Sequence, residues 1–402
     1  MKNSFIAIFL FLSLHSSGQD NIPFPELNIY SGSTHAHSIY SMSHGEHLQK
    51  TGEGKAMLVD SNYLNRPGPA VKLKPEWSRA QGQPEDHFKK AKNNGYDFYI
   101  VTDHSQEEAF YPSHPFNTAW IITQDQAKKI SDDQFLGLVG YEHSENNDPV
   151  GKGHINVINS AAYINALEPG IDLKQLYAWL KEVPAYSDGP VVASFNHPGP
   201  KQYNNFSWRD DAVTDIITML EVINSNKRIH YDGFISALDK GWKVSPVCGN
   251  DNHGLSGIDK FTSRTFVLSK SLVKKDILEA MKNRRTYAAT EQNIQCRYAV
   301  NGQIMGSDVP KSNTYKFDIH ISDPDNNIPE DKITKIDILK DGGQLVEEHI
   351  PTPGHTIRWS PTIKDANAKY FFVRVWNAGG GDLKDSDPKQ PVAWLAPVWI
   401  GK

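Results

Sequence analysis

The sequence contains very little cysteine and almost no excess of charge of one sign. Two cysteines among 402 residues exclude a disulfide-dense scaffold and a zinc module built on thiolates. A disulfide between Cys248 and Cys296 stays open, because the sequence does not fix the distance between them. The 42 Lys and Arg residues nearly balance the 47 Asp and Glu residues, which gives a net charge of −5. Such a chain does not attract a phosphate backbone, so we expect no nucleic-acid polymer as its partner.

Long apolar runs are also absent beyond the N-terminus, so we expect no membrane span there. Lys2 precedes an apolar run over residues 5–14, and small residues follow at positions 16–18. This pattern is typical of a cleavable signal peptide, and the run is too short to cross a bilayer. We therefore expect residues 1–18 to be removed and the mature protein to be secreted or periplasmic. A hydrophobic helix of a cytosolic protein is the alternative interpretation.

The remaining chain has two parts with different patterns of apolar and polar residues. Up to residue 290, short β-branched runs alternate with helical patterns, and this predicts an α/β fold with a closed or nearly closed barrel over residues 19–290. The predicted strands are residues 27–31, 97–102, 135–140, 154–158, 191–196, 219–224, 244–249 and 263–268, and the predicted helices are residues 84–94, 173–182 and 271–283. After residue 290, apolar and polar residues alternate over 316–322, 335–339, 356–359 and 370–376, between turn sequences. This pattern predicts a small antiparallel β-sandwich domain over residues 291–402.

The 16 histidines gather with carboxylates at the ends of the predicted strands. The residues concerned are His35, His37, Asp103, His104, Glu142, His154, His197, Asp251 and His253. Because the carboxyl ends of barrel strands lie on one face, we expect these side chains to meet there. Each motif alone fits a hydrogen-bonded surface pair equally well. Taken together they indicate a site for divalent Zn, Mn or Fe, and the scarcity of cysteine favours an open catalytic site.

This series of motifs, in its order and spacing, resembles that of the PHP (polymerase and histidinol phosphatase) superfamily of metal-dependent hydrolases. The motifs are His35-Ala36-His37, Thr102-Asp103-His104, Glu142, Gly153-His154, Asn196-His197-Pro198 and Asp251-x-His253. The stretch Arg284-Arg285-Thr286-Tyr287-Ala288 is similar to the branch that contains carbaryl hydrolase. The resemblance covers nearly all of the mature chain. It implies a distorted (β/α)7 barrel, followed by the small β-domain, with two or three divalent ions.

The resemblance also implies how the side chains are shared among the ions. A first ion would be held by His35, His37, Glu142 and Asp251. A second would be held by Glu142, His154 and His197, with Glu142 bridging the two. A third would be held by His104 and His253 with a histidine that follows the His-x-His motif in the family. At the position where the family has this histidine, this chain has Ser43, and His44 is the next residue.

A cluster of this kind activates water without a nucleophilic side chain, and neither a Gly-x-Ser-x-Gly elbow nor a P-loop is present. We therefore expect a phosphoesterase that hydrolyses a small anionic phosphate ester through a metal-bound hydroxide. One alternative is a carbamate, ester or amide hydrolase with the same site. A second alternative is an exported glycan-binding protein without catalysis.

Two further residues are candidates for catalysis. Asp103 adjoins His104 and would orient its ring or relay a proton, although a hydrogen bond at the strand end explains it equally well. Arg264 begins a predicted strand soon after His253 and would bind an anionic substrate. Glu221 is expected in the wall of the pocket.

Overall fold

The computed structural model describes residues 27–41, 81–110, 113–114, 116–145, 152–166, 168–225, 228–380 and 390–401. The predicted signal peptide and His44 lie outside these residues. None of the described helices is long and apolar enough to cross a membrane.

The first part of the chain contains twelve strands and six α-helices among its described residues. The strands are β1 Asn28–Ser33, β2 Ala36–His37, β3 Phe98–Val101, β4 Leu136–Glu145, β5 Gly153–Ile158, β6 Val192–Asn196, β7 Ile217–Asn224, β8 Arg228–Ile229, β9 Ser245–Cys248, β10 Asn252–His253, β11 Arg264–Ser269 and β12 Thr286–Ala289. The helices are α1 Pro84–Asn93, α2 Thr118–Ile130, α3 Leu173–Glu182, α4 Asp211–Thr214, α5 Tyr231–Asp239 and α6 Lys274–Lys282. Short 3₁₀ helices occupy Glu108–Phe110, Val183–Tyr186, Gln202–Phe206, Leu255–Gly257, Pro329–Asp331 and Asp341–Gly343.

Local sequence explains where the helices begin. In α1, Pro84 stands in the first turn, and the Asp86 carboxylate accepts a hydrogen bond from the backbone N–H of Gln83, as at a capped N-terminus. In α2, the Asn117 side chain accepts from the N–H of Trp120 at 3.0 Å. Helix α2 was not predicted, because its apolar residues follow one another directly at the start and blur the helical spacing.

The large sheet is mixed, whereas the sequence predicted parallel strands. Strands β1, β3 and β4 are parallel neighbours, as are β6, β7 and β9. Strand β5 is antiparallel to both β4 and β6, and β11 is antiparallel to β1 and β12. The reversal of β5 has a simple cause, since only residues 146–152 separate it from β4, too few for a crossover helix.

The sheet curls so that its two ends approach each other. Strand β9 is paired with β7, and it also meets β11 through the Thr265 hydroxyl, which donates to the Cys248 carbonyl at 2.8 Å and accepts from the Cys248 N–H at 2.7 Å. The fold is thus a mixed α/β fold with a curled sheet. A regular seven-unit (β/α) barrel is not confirmed.

The strands after residue 290 form two layers. They are β13 Gln295–Val300, β14 Gln303–Ile304, β15 Asp308–Val309, β16 Thr314–Ser322, β17 Ile333–Lys340, β18 Gln344–His349, β19 Thr356–Trp359, β20 Thr362–Lys364, β21 Tyr370–Asn377, β22 Ala393–Leu395 and β23 Val398–Ile400. Strands β13, β14, β16, β19 and β20 make one sheet. The described strand pairs of the two layers are antiparallel except for β15 with β23, which is parallel. Residues of both layers share one apolar core, in which the rings of Phe317 and Phe371 lie 5.6 Å apart. The predicted separate β-sandwich domain is not confirmed.

The second layer is continuous with the curled sheet. Strand β12 pairs with β22, and β22 pairs with β21. The backbone hydrogen bonds therefore continue from the curled sheet into the C-terminal strands. The expected domain boundary at residues 290/291 stays a prediction. Both cysteines, Cys248 and Cys296, are buried free thiols, and they belong to different sheets.

Candidate metal centre

A short ladder joins two of the sequence motifs. Strand β2 pairs in parallel with β10, which places Ala36 beside Asn252 and His37 beside His253. The Asp251 N–H also donates to the His35 carbonyl at 3.0 Å. The His-x-His motif and the Asp-x-His motif, more than 200 residues apart in sequence, are therefore held side by side by backbone hydrogen bonds.

The remaining histidines come from adjacent strands of the sheet. His104 follows β3, and its backbone forms an isolated parallel β-bridge with Glu142 on β4. His154 opens β5, and it is paired with Asn196 at the end of β6, directly before His197. Because β5 runs antiparallel, its amino end lies at the same edge as the carboxyl ends of its neighbours. This reversal explains why His154 reaches the site from the start of its strand.

Eight side chains meet at this edge, and we call them the histidine–carboxylate cluster: His35, His37, His104, Glu142, His154, His197, Asp251 and His253. The Glu142 carboxylate is fully buried and lies at the centre. Its oxygens are 2.7 Å from His104 Nδ1, 3.2 Å from His154 Nδ1, 3.3 Å from His35 Nε2, 3.4 Å from His197 Nε2 and 3.7 Å from His37 Nε2. Asp251 Oδ1 lies 3.1 Å from His37 Nε2 and 3.5 Å from His35 Nε2.

Three groups within the cluster have ligand atoms close enough to surround a single ion, all within 4.8 Å of one another. They are His35, His37 and Glu142; Glu142, His154 and His197; and His37, His104 and His253. The first contains three of the four residues implied by the family resemblance, without Asp251, and the second contains the same three residues as its implied set. The third joins His37 to His104 and His253, and His44 lies outside the described residues. The roles of all these residues as ligands stay a prediction.

One side of the cluster is closed and the other is open to solvent. His35, His37 and Glu142 have no exposed side-chain surface, whereas Asp251 and His253 are each 18% exposed. His154 and His197 are 19% and 21% exposed. The partly open side gives a small molecule access to the ligand atoms.

A second layer of polar groups fixes the rings. The Glu221 carboxylate lies 2.8 Å from His35 Nδ1 and also accepts the His197 N–H at 2.9 Å. With the proton on His35 Nδ1, the Nε2 lone pair of that ring points at the cluster. His253 Nδ1 likewise faces the Asp251 carbonyl at 3.2 Å, and its Nε2 lies 3.2 Å from His104 Nε2.

The Asp103 carboxylate is linked to the cluster through two serines. Its carboxylate accepts hydrogen bonds from the N–H and hydroxyl of Ser38 and from the hydroxyl of Ser41, at 2.7, 2.6 and 2.8 Å. Ser41 Oγ accepts the His104 N–H at 2.9 Å and lies 3.2 Å from His37 Nδ1. Burial raises the pKa of Asp103 to about 6, although these hydrogen bonds oppose the shift.

The charges in the cluster are strongly coupled. Burial opposes protonation of His35, but Asp251, Glu142 and Glu221 outweigh it and hold the pKa of His35 well above its usual value. Burial and the neighbouring imidazoles hold the pKa of His37 well below its usual value. The pKa of Glu142 is well below its usual value, because the surrounding histidines outweigh the cost of burial. Carboxylates that stay ionised and imidazoles with facing lone pairs are suited to divalent cations.

Backbone geometry at the cluster is unusual in two places. His197 and Asp251 have φ angles of 30° and 48°, values that non-glycine residues adopt at a cost. Gly249, at the end of β9, leaves no room for a side chain, since a Cβ there would lie 1.8 Å from Glu221 Oε1 and 2.8 Å from the His35 Cβ. Glycine is needed at position 249 because Glu221 and His35 occupy the space that a side chain would take.

Arg264 is not brought to the cluster by any contact that the structure describes. Its guanidinium stacks on Tyr96, 3.6 Å from the ring centre, and donates to the carbonyls of Phe261 and Ser263. These contacts support the chain at the start of β11, and substrate binding by Arg264 stays a prediction. Glu221 had been expected only in the pocket wall. Its signal in the sequence is a carboxylate inside the otherwise apolar run of β7, where an unpaired charge would be costly.

The chain is thus a mixed α/β protein with a buried nitrogen- and oxygen-rich cluster suited to divalent metals. No protein-family model and no curated protein matches it. It is similar to a solved two-domain protein from Bacteroides vulgatus ATCC 8482 described as containing a predicted PHP-like metal-dependent phosphoesterase, with 16% identity and a TM-score of 0.48 over 93% of this chain and 96% of that chain. It is also similar to the lesion-specific endonuclease PfuEndoQ from Pyrococcus furiosus, with 14% identity and a TM-score of 0.33 over 63% of this chain and 56% of that chain.

At these identities and TM-scores, neither neighbour assigns an activity to this chain. The PHP superfamily inferred from the motifs stays a prediction. The carbaryl-hydrolase-like branch is not confirmed.

Proposed function

We propose that this protein is a metal-dependent hydrolase that cleaves small phosphate esters, with two or three divalent ions held by the histidine–carboxylate cluster. The observation that carries the proposal is the convergence of six imidazoles and the Glu142 carboxylate into three overlapping groups. Asp251 Oδ1 lies beside them, 3.1 Å from His37 Nε2. Asp103 and Arg264 are not assigned as ligands.

The side chains fit ions of the Zn, Mn and Fe class. Two pairs of imidazole Nε2 atoms face each other, at 2.9 Å between His35 and His37 and at 3.2 Å between His104 and His253. Such an approach needs a shared proton or a cation between the lone pairs. The donor set mixes nitrogen and carboxylate oxygen without sulfur, as is typical of catalytic zinc, manganese and iron sites.

Ions held in adjacent groups would lower the pKa of bound water and neutralise charge on a phosphate oxygen. The protein's own residues prepare the site for this. The Glu221 carboxylate holds the proton of His35 on Nδ1, so that Nε2 is available for binding. The Asn196 amide donates to Glu142 Oε1 at 2.8 Å and keeps that carboxylate turned towards the centre. The partly exposed His154 and His197 mark the side from which substrate enters.

A direct experiment measures metal content and activity together. The purified mature protein is analysed for transition metals and assayed on p-nitrophenyl phosphate, bis-p-nitrophenyl phosphate and naphthyl carbamates. We expect at least two ions per chain, with hydrolysis of a phosphate ester. The paired change His35→Ala with His37→Ala is expected to remove both the metal and the activity.

His349→Ala is the matched control, because this histidine stacks on Trp359 at 5.0 Å, far along the chain in the C-terminal strands. The control is expected to keep both the metal and the activity. A metal-free wild-type protein, or full activity in the paired variant, would refute the proposal. Carbamate hydrolysis without phosphate-ester hydrolysis would instead support the same site acting on carbon.

We also propose that the protein is exported, on the basis of the N-terminal sequence pattern alone. Expression with the native N-terminus in a bacterial host is expected to yield a mature chain that begins at Gln19. N-terminal sequencing of cellular and exported fractions tests this. An uncleaved chain that is confined to the cytosol would contradict it.

A further inference from the structure

A second group of carboxylates lies far along the chain from the histidine–carboxylate cluster. It consists of Asp323 and Asp325, just after β16, and Asp331, in the following 3₁₀ helix. One oxygen from each of the three carboxylates lies within 4.8 Å of the others. Oxygens bound to calcium at 2.3–2.6 Å are separated by up to about 5 Å across the ion. The spacing therefore matches a single shared cation.

An unpartnered buried atom distinguishes this group from an ordinary acidic loop. Asp323 is only 2% exposed, and no N–H or hydroxyl donates to its Oδ2 in the structure. The other oxygen, Oδ1, accepts the Asp325 N–H at 2.8 Å. The neighbouring group is another carboxyl, that of Glu291, within hydrogen-bonding reach of Asp323. Burying a carboxylate oxygen without a donor is costly, and a cation at this place would remove that cost.

A neighbouring amide supplies another oxygen without a donor. Asn293 donates from Nδ2 to Asp325 Oδ2 at 2.9 Å, while its Oδ1 is buried and accepts nothing. Rotation of this amide would turn Oδ1 towards the carboxylates. The group then offers three carboxylates and an amide oxygen, which are the ligand types that calcium prefers.

Few positive charges surround these carboxylates. Among the described residues, no Lys or Arg forms an ion pair with Asp323, Asp325, Asp331 or Glu291. His355 is a basic neighbour, and its charge opposes the rise that burial causes in the pKa of Asp323 and Asp331. Burial raises the pKa of Glu291 to about 7, and the charge of Asp323 adds to this shift. Burial likewise raises the pKa of Asp323. Without a cation, these neighbouring carboxylates are held together at a cost.

We propose that Asp323, Asp325 and Asp331, with the amide oxygen of Asn293, form a calcium-binding site. The set contains only oxygen, and it comes from an irregular loop, which suits the larger and geometrically flexible calcium ion better than magnesium. The site links the segment that follows β12 to the loop after β16. Its role is to stabilise this junction, and it does not depend on the proposed hydrolase activity.

Calcium titration of the full-length mature protein tests this, by calorimetry and by thermal unfolding. Saturating calcium is expected to raise the unfolding midpoint by roughly 5 °C. Asp323→Asn is expected to weaken calcium binding by a factor of about 30 or more, and Asp325→Asn by about 10, because charge count sets affinity at such sites. Asp325 is the more exposed of the two, so its variant remains informative if Asp323→Asn does not fold.

Glu330→Gln is the matched control, since this exposed carboxylate lies in the same loop but outside the ligand group. It is expected to bind calcium within threefold of the wild type. The same titration in the paired His35→Ala, His37→Ala variant is expected to retain the calcium site, which separates it from the metal centre. No binding at millimolar calcium would overturn the proposal. Undiminished binding in both Asp variants, or an equal loss in Glu330→Gln, would overturn it as well.

Discussion

Replacing Glu142 by glutamine tests the metal centre at its central side chain. Glu142 is fully buried, and its carboxylate approaches five imidazoles at 2.7–3.7 Å. The amide keeps the shape but removes the charge and one acceptor oxygen. Removing one partner from a buried ionic group costs about 3–5 kcal/mol, which corresponds to a roughly 150- to 5,000-fold loss in an equilibrium constant. We therefore expect Glu142→Gln to weaken metal binding by at least about 100-fold.

Competition with a chromophoric chelator measures the affinity, and elemental analysis gives the number of ions that remain. The metal-free protein supplies a second readout. In it burial lowers the pKa of His197, but Glu142, followed by Glu221 and Asp251, raises it to about 9. Without the Glu142 charge, we expect an NMR titration to show this pKa several tenths of a unit or more lower.

Asp97→Asn is the control, because it changes a partly buried carboxylate of the same sheet that accepts hydrogen bonds from Ser31, away from the metal centre. It is expected to leave metal affinity unchanged. If Glu142→Gln binds metal as tightly and in the same number as the wild type, Glu142 does not bridge two ions, and our assignment of the centre is wrong.

Three further changes test the supports of the site and the core. Glu221→Gln removes the charged partner of His35 Nδ1, so a metal titration should show about 10- to 100-fold weaker binding; unchanged affinity would contradict the orienting role. Gly249→Ala places a Cβ against Glu221 and His35, and chemical denaturation should show that the free energy of unfolding falls by about 1–3 kcal/mol. Gly354→Ala is the control, because a Cβ there would have its nearest neighbour outside the adjacent residues at 3.8 Å, and its free energy of unfolding should change little. Burial lowers the pKa of His87 to about 4 from 6.5, so the unfolded state binds more protons between these values, and stability should fall by ~3 kcal/mol as the pH drops through this window. Urea unfolding should show that His87→Gln loses less stability than the wild type over the same range, and an identical pH profile would show that His87 is not buried in its neutral form.

Much of the metal centre could be predicted from the sequence because its ligands stand at strand ends. His104, Glu142 and His197 come just after apolar runs that are readable as buried strands. These residues therefore mark the edge of the sheet at which the strands end. The predicted sets that share Glu142 correspond to groups that the structure brings together, except that Asp251 is not in the group of His35 and His37. Their role as ligands stays a prediction until metal is measured.

Other features of the site had only weak signals in the sequence. Glu221 was visible as a charge within an apolar strand, but its partner, His35, lies 186 residues away. Ser41 Oγ lies 3.2 Å from His37 Nδ1, and Ser144 Oγ, on β4, lies 2.9 Å from His104 Nδ1. A single serine carries no distinct pattern in the sequence. Arg264 was expected at the site because it follows His253 closely, yet its contacts are with Tyr96 and two carbonyls. Short separation along the chain does not fix the direction of a side chain.

By itself, the sequence determined the positions of the main strands and the concentration of histidine and carboxylate at their ends, because burial imposes local apolar patterns that can be read directly. Strand direction was decided only in the tertiary structure. Strand β5 is antiparallel to β4, since the connection between them is too short for a crossover helix, and the pairing of β12 with β22 carries the sheet into the C-terminal strands. The presence of His37 in two of the groups was likewise decided there, since it depends on distances between strands that no local pattern encodes.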